Sequence, residues 1–375
     1  MKIAVNCWVL RNRQLDGIGY FTVNSISRMI GNHPEVEFQI LCDKGYEADY
    51  FNFPNVTHHR IFPARRHPLL YIWFLETVLP AFLRKHQPDL LLSMEGFASL
   101  TAAQKQLPVL YDINFEHQPQ DLPLKNRLYF RFFFKRFVRK ATRVATISEY
   151  SKQDIASFYH IDPDKIDNVS CGINAGFHPL AADLIRETRN HFTEGKPYFF
   201  FVGSMHPRKN IIRLVEAYSR FREQTGSDYK LVLAGAIWWS KSGLEEAVNK
   251  SPYKNDIIFT GRVSEEDLKH LLGSAFALSF TPIFEGFGLP IVESMQSEVP
   301  VICSNVTSMP EVAGDAAVLV DPFDVQIIAG GMQRLFDSPQ LAAELVAKGR
   351  LQREKFTWER TATLLWNSVL KAVQS

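Results

Sequence analysis

Two periodicities alternate along the chain. Short strand-like runs, most of them rich in apolar residues, recur at residues 2–9, 36–42, 56–62, 89–93, 108–113, 143–147 and 165–169. Between most of them lie longer stretches with apolar residues three or four apart. Uninterrupted short runs predict strands covered on both faces, and the wider spacing predicts the helices that cover them. This alternation predicts an α/β fold with mostly parallel, doubly wound sheets. The rhythm breaks over 171–197, where Gly172, Gly176, Pro179, Gly195 and Pro197 surround a polar helix. It restarts with strands expected at 198–202, 230–234, 257–260, 275–280 and 299–303 and closes with an amphipathic helix over 356–373. A chain of 375 residues is long enough for two cores. The expected domains are 1–178 and 179–355, followed by 356–375.

Ligands in such sheets gather at the carboxyl ends of the strands. Several polar clusters fall there: Asp16 with Gly17 and Gly19, Glu95 with Gly96, and the run from Asp112 to His117. Gly17-Ile18-Gly19 is not a dinucleotide fingerprint, since Thr22 stands where a third glycine is needed. Asp112, Glu116 and His117 read either as a capped polar loop or as a sugar-binding cluster with a group able to take a proton. Asp162-Pro163-Asp164 precedes a strand and reads as a turn, not as a metal site.

One stretch is richer. Phe284-Glu285-Gly286-Phe287-Gly288-Leu289-Pro290 leads to Glu293, with an apolar strand on either side. Pro290 suits the first turn of a helix. The amides of Gly286, Phe287 and Gly288 would then sit at a helix N-terminus, a ready anion site. Glu293 falls about one turn into that helix. Taken alone, the stretch also reads as a βα turn with surface acids. Arg208 and Lys209, after Gly203 at another strand end, stand at a helix start where the dipole disfavours cations. A bound anion offsets that, Arg gripping phosphate with its fork and Lys as a point charge.

Composition narrows the partners. Net charge is +2, with +4 in residues 1–180 and −2 in the remainder, so no global charge argument points to nucleic acid. The positive excess concentrates in 125–140, which holds seven basic residues, six aromatics and no acid. That helix reads either as a packed helix with a solvated basic rim or as a surface for anionic lipid headgroups. The four cysteines are scattered without a CxxC, which suits buried free thiols in a reducing compartment. No signal peptide is expected at the N-terminus, and the apolar stretch 69–83, interrupted by Glu76 and Pro80, is too short to span a bilayer. The expected location is the cytoplasm, with peripheral contact at the inner face of the cell membrane left open.

Four motifs stand in one order: Asp16-Gly17-Ile18-Gly19; Gly203-Ser204 with Pro207-Arg208-Lys209-Asn210; Gly261-Arg262-Val263-Ser264; and Phe284 through Glu293. Together they resemble the retaining glycosyltransferases of family 4 (group 1), which have the GT-B fold. The resemblance implies two Rossmann-like domains facing a cleft, the last helix crossing back to the first domain. It implies a donor that is a nucleotide-diphosphate sugar, GDP-mannose being one choice, and a glycan or lipid-linked glycan acceptor in surface-polysaccharide synthesis. No metal or other cofactor is implied. Arg208 and Lys209 would hold the diphosphate and Glu293 the ribose. Glu285 with the amides of Gly286, Phe287, Gly288 and Leu289 would meet sugar and phosphate. Gly203 lies at the same strand end, and the backbone of Arg262 and Val263 lies near the base. Gly17 and Gly19 would form the loop near phosphate and acceptor. Many relatives carry His-Asp where this chain has Tyr111-Asp112, which leaves Asp112 as the N-domain catalytic candidate alongside Arg208, Lys209 and Glu285. Two other readings are a sugar-nucleotide epimerase on the same fold and a non-catalytic lipid-binding scaffold.

Overall fold

A computed structural model describes every residue except 12–14, 43–47, 62–67, 175 and 237–241. The chain divides into two compact units, Met1–Gly172 with Thr357–Ser375, and Ile173–Phe356. Unit 1 contains β1 (Lys2–Asn6), β2 (Glu37–Cys42), β3 (Val56–Arg60), β4 (Leu90–Ser93), β5 (Lys105–Pro108), β6 (Val144–Thr146) and β7 (Ile166–Asn168). The first five form a parallel sheet in the order β3-β2-β1-β4-β5. β6 and β7 form a parallel pair, joined to the larger sheet through a bridge between Val109 and Ala145.

Unit 2 contains β8 (Tyr198–Val202), β9 (Lys230–Ala234), β10 (Ile257–Gly261), β11 (Ala277–Phe280), β12 (Val301–Ser304) and β13 (Val318–Val320). They form one parallel sheet in the order β10-β9-β8-β11-β12-β13. β8 and β9 are almost entirely buried, as strands covered by helices on both faces must be. Tyr198, Phe199, Phe200, Phe201 and Tyr218 fill this core. In unit 1 Trp8, Phe74, Phe137 and Tyr159 do the same.

Some elements depart from the sequence pattern. The strand expected at 108–113 forms earlier, over Lys105–Pro108, in register with Leu90–Ser93. Beyond Pro108 the backbone changes partner: the Val109 amide donates to the Ser93 carbonyl, and the Leu110 amide to Ala145. Gln106 disguises the strand, since it looks solvent-bound yet is buried, its amide group paired with both backbone groups of Ser99. The first strand stops at Asn6, whose Oδ1 accepts from the Trp8 amide at 3.1 Å and starts a 3-10 turn, Trp8–Arg11. β3 ends at Arg60, and Phe62 of the expected strand lies outside the described residues. β13 was not among the expected strands, although it lies in the apolar run 316–320; it is short, and Leu319 faces outward. The terminal helix, Trp358–Gln374, is N-capped by Thr357 and packs within unit 1, Trp358 edge-on to Phe21 and Trp366 stacked on His33. All four cysteines are buried free thiols.

Candidate active site

The winding of the unit 2 sheet reverses between β8 and β11. A crevice opens outside the carboxyl ends of the strands at such a reversal, because neighbouring loops leave in opposite directions. The two richest motifs in the sequence follow these two strands.

After β8, Gly203 adopts φ 147° and leads to a 3-10 turn, Pro207–Lys209, and the helix Ile211–Thr225. After β11, the chain turns through Phe284–Gly288 into the helix Leu289–Gln296, with Gly288 at φ 102° and Pro290 in the first turn. Only glycine takes that backbone conformation without strain. The two loops are tied together: the Ile283 amide donates to the Arg208 carbonyl at 2.8 Å, and Asn210 Nδ2 donates to the carbonyls of Thr281 and Pro322.

Arg208 and Lys209 converge on Glu285. Arg208 Nη1 lies 2.6 Å from Glu285 Oε1 and donates to the Phe284 carbonyl at 3.0 Å. Lys209 Nζ contacts the same carboxylate oxygen and lies 5.0 Å above the Phe280 ring. Burial pushes the Glu285 carboxyl up, but Lys209 and Arg208 outweigh it and hold it below the usual range. The two cations and one anion leave a net positive charge beside a helix N-terminus, a place that attracts a second anion. The amides of Phe287, Gly288 and Leu289 donate to no protein acceptor among the described residues.

Glu293 is in the opposite state. Among the described residues no donor reaches its carboxyl, and burial raises it from its usual 4.5 to about 7. It sits four residues after Leu289, a rise of about 6 Å along the helix. A partly accessible, poorly solvated carboxylate is set to accept hydrogen bonds from a ligand's hydroxyls.

Other parts of this site were not legible beforehand. Ser308 Oγ donates to the carbonyls of Glu285 and Phe287, both at 2.9 Å, and Thr307 Oγ1 accepts from the Glu285 amide at 3.4 Å. These hydroxyls, from the loop after β12, hold the glycine turn in shape. The polar run Ser304–Ser308 at a strand end was the available signal. Gly235, at φ 136°, packs its α-carbon against the backbone of Gly203, and its amide donates to Gly261. Three adjacent strands thus end in glycine, so no side chain covers the sheet there. Arg262 and Val263 follow the last of them.

Unit 1 has its own reversal, between β1 and β4. Gly17 and Gly19 do not form a turn before a helix; they are its first turn, in Gly17–Asn32. Asp16 caps that helix, taking the Gly19 amide at 2.9 Å, and a Cβ on Gly19 would crowd Leu15. Gly19 therefore has no amide to offer a ligand, whereas Gly17 stays exposed. Asp112 Oδ1 accepts from the Asn114 amide. Tyr111 points inward: its hydroxyl donates to the Met94 carbonyl at 3.0 Å and its ring packs edge-on to Phe21. His117 Nε2 lies 2.9 Å from both carboxylate oxygens of Asp154.

Comparison with known proteins agrees with this geometry. The profile described as glycosyl transferases group 1 matches residues 185–352, and that of glycosyltransferase family 4 matches 20–177. The chain belongs to this glycosyltransferase family. The glycosyltransferase is 28% identical over 364 residues to O-antigen chain mannosyltransferase B of Escherichia coli, covering 94% of this chain and 96% of that one. It is 28% identical over 240 residues to the serotype-specific mannosyltransferase WbdA of the same organism, 63% of this chain but 29% of that longer protein. Its fold matches that of Anabaena HepE, solved with UDP and glucose, at a TM-score of 0.75 and 16% identity, covering 99% of both chains. The fold is GT-B, with two Rossmann-like units.

Proposed function

We propose that this glycosyltransferase moves a hexose, mannose being the first choice, from a nucleotide-diphosphate sugar to a glycan or lipid-linked glycan in polysaccharide synthesis. The observation that carries the reading is the Arg208–Lys209–Glu285 cluster beside the Gly288–Leu289 helix start, with Glu293, unpartnered among the described residues, about one turn further on. The mannose choice draws on the names of the two bacterial relatives.

In this reading the diphosphate lies against Arg208, Lys209 and the amides of Phe287, Gly288 and Leu289. Glu293 accepts from the ribose hydroxyls. The bond from the sugar's anomeric carbon to the phosphate oxygen breaks, and negative charge grows on the leaving nucleoside diphosphate. The two side-chain cations and the helix N-terminus stabilise that charge, which makes the proposed reaction metal-independent. The sugar becomes oxocarbenium-like, and the acceptor hydroxyl attacks from the face the phosphate leaves. Its proton passes to the departing phosphate oxygen, giving a retained configuration. Asp112 is the unit 1 group proposed to act on the sugar or acceptor; Gly17 offers backbone there, while Tyr111 is committed to Met94.

A thermal-shift screen of GDP-, UDP-, ADP- and dTDP-sugars tests the reading, since a ligand that prefers the native state raises its apparent melting temperature. The expected result is a shift with one base and a larger one with its sugar conjugate. No shift with any of them removes the proposal. Release of free nucleotide and inverted sugar without an acceptor would favour the epimerase instead.

A further inference from the structure

The helix Leu124–Lys140 buries Tyr129, Phe134, Phe137 and Val138 against unit 1. Three of the six aromatics that made its sequence conspicuous are thus core, and Phe130 and Phe133 pack half-buried against it. What remains outside is different. Leu124, Leu128 and Phe132 are 58%, 62% and 52% exposed and lie four residues apart, one above the other on a single stripe. Lys135 and Arg139 continue that stripe at helical spacing, and Lys125, Arg131 and Arg136 flank it. The guanidinium of Arg136 sits 3.6 Å from the centroid of the Phe132 ring. Among the described residues, Arg131 is the one basic side chain of this helix with an acid nearby, Glu116 at 3.6 Å. The short helix Pro68–Trp73 lies alongside, with Tyr71 and Tyr129 5.6 Å apart, and presents exposed Leu69 and Trp73. Among the described residues, five of the seven large apolar side chains that unit 1 exposes are on these two helices. Apolar exposure this concentrated marks a contact surface, whereas scattered exposure would not.

We propose that this face docks on an anionic lipid bilayer surface. Leu124, Leu128, Phe132 and Trp73 enter the headgroup–acyl boundary, while Lys135, Arg136, Arg139 and Lys140 lie against lipid phosphates. The charge selects the occupant. A stripe that runs from apolar to basic, on a helix with no acid, complements a surface that is itself apolar beneath a layer of anions. A protein partner of ordinary mixed charge offers no such layer. Among the described residues no helix is long and apolar enough to cross a membrane, so the contact is peripheral. The inference stands on unit 1 alone and does not depend on the donor site in unit 2.

Flotation with vesicles tests it, using the full chain. Binding is expected to phosphatidylglycerol-containing vesicles and not to pure phosphatidylcholine, and it weakens in high salt. Lys135→Gln and Arg139→Gln each weaken it about fivefold. Leu128→Ser with Phe132→Ser weakens it about tenfold or more, and Trp73→Phe removes a lipid-induced blue shift. These positions are exposed or at the surface, so nucleotide-induced shifts stay at wild-type values and so does melting temperature, except in Arg139→Gln, which also loses the bond from Arg139 Nη2 to the Tyr159 carbonyl at 3.2 Å. Equal binding to both vesicle types, no binding, or indifference to the Leu128/Phe132 change overturns the proposal. So does a lipid-free dimer that the Leu128/Phe132 change dissociates, which would make the face a protein interface.

Discussion

Glu293 offers a test in which stability and function move in opposite directions. Its carboxyl ionises near 4.5 in the unfolded chain and only near 7 in the folded one. The folded state therefore favours the neutral form. Stability is fully present below pH 4.5 and is lost as pH rises through about 7. A shift of that size corresponds to up to about 3 kcal/mol. The side chain keeps some solvent access, and screening reduces the effect to about 1–2 kcal/mol. Glu293→Gln keeps the shape and removes the ionisation. Urea unfolding at pH 5 and pH 8 should find the variant little changed at pH 5 and more stable than wild type at pH 8, by about 1–2 kcal/mol. Binding should go the other way. Hydrogen bonds to a charged acceptor are the strong ones, so the variant should bind the nucleoside diphosphate about tenfold more weakly at pH 8. A stability gap that does not change with pH would refute the burial argument. Unchanged nucleotide affinity would remove Glu293 from the ribose.

The other expectations concern neighbouring groups. Arg208→Ala or Lys209→Ala should cost about tenfold or more in nucleotide affinity by calorimetry; the lost cation also leaves Glu285 under-compensated, so its carboxyl rises and the variants lose part of the stability that the ionised carboxylate contributes at neutral pH, a deficit that shrinks as pH falls through the carboxylate range. Asp112→Asn should lower turnover in a transfer assay more than it changes donor affinity, and unchanged turnover takes it out of the site. Ser308→Ala removes both bonds that hold the glycine turn, at a cost of about 1–3 kcal/mol by chemical denaturation, with a matching fall in kcat/KM while the fold persists.

The periodic pattern alone determined the class of fold, because strands covered on both faces must be apolar at nearly every position. The sequence also exposed the Phe284–Glu293 turn and the Arg208–Lys209 pair, since both combine helix-start residues with charge at strand ends and stand in one order with two further motifs. Gly288 at φ 102° and the Arg208–Glu285 contact of 2.6 Å are the structural form of those signals. Gln106 was misleading, because a buried amide paired to the backbone looks, in one dimension, like a surface residue. Only tertiary structure could decide what Ser308, Gly235 and Asn210 do, as their partners are 21 to 112 residues away or lie on a neighbouring strand. The same holds for Tyr111, which turned inward, and for the basic helix, where packing buried Tyr129, Phe134 and Phe137 and left Leu124, Leu128 and Phe132 outside. Local sequence sets which conformations and charges are available. Which of those groups remain open to a ligand is settled by the contacts that use up the rest.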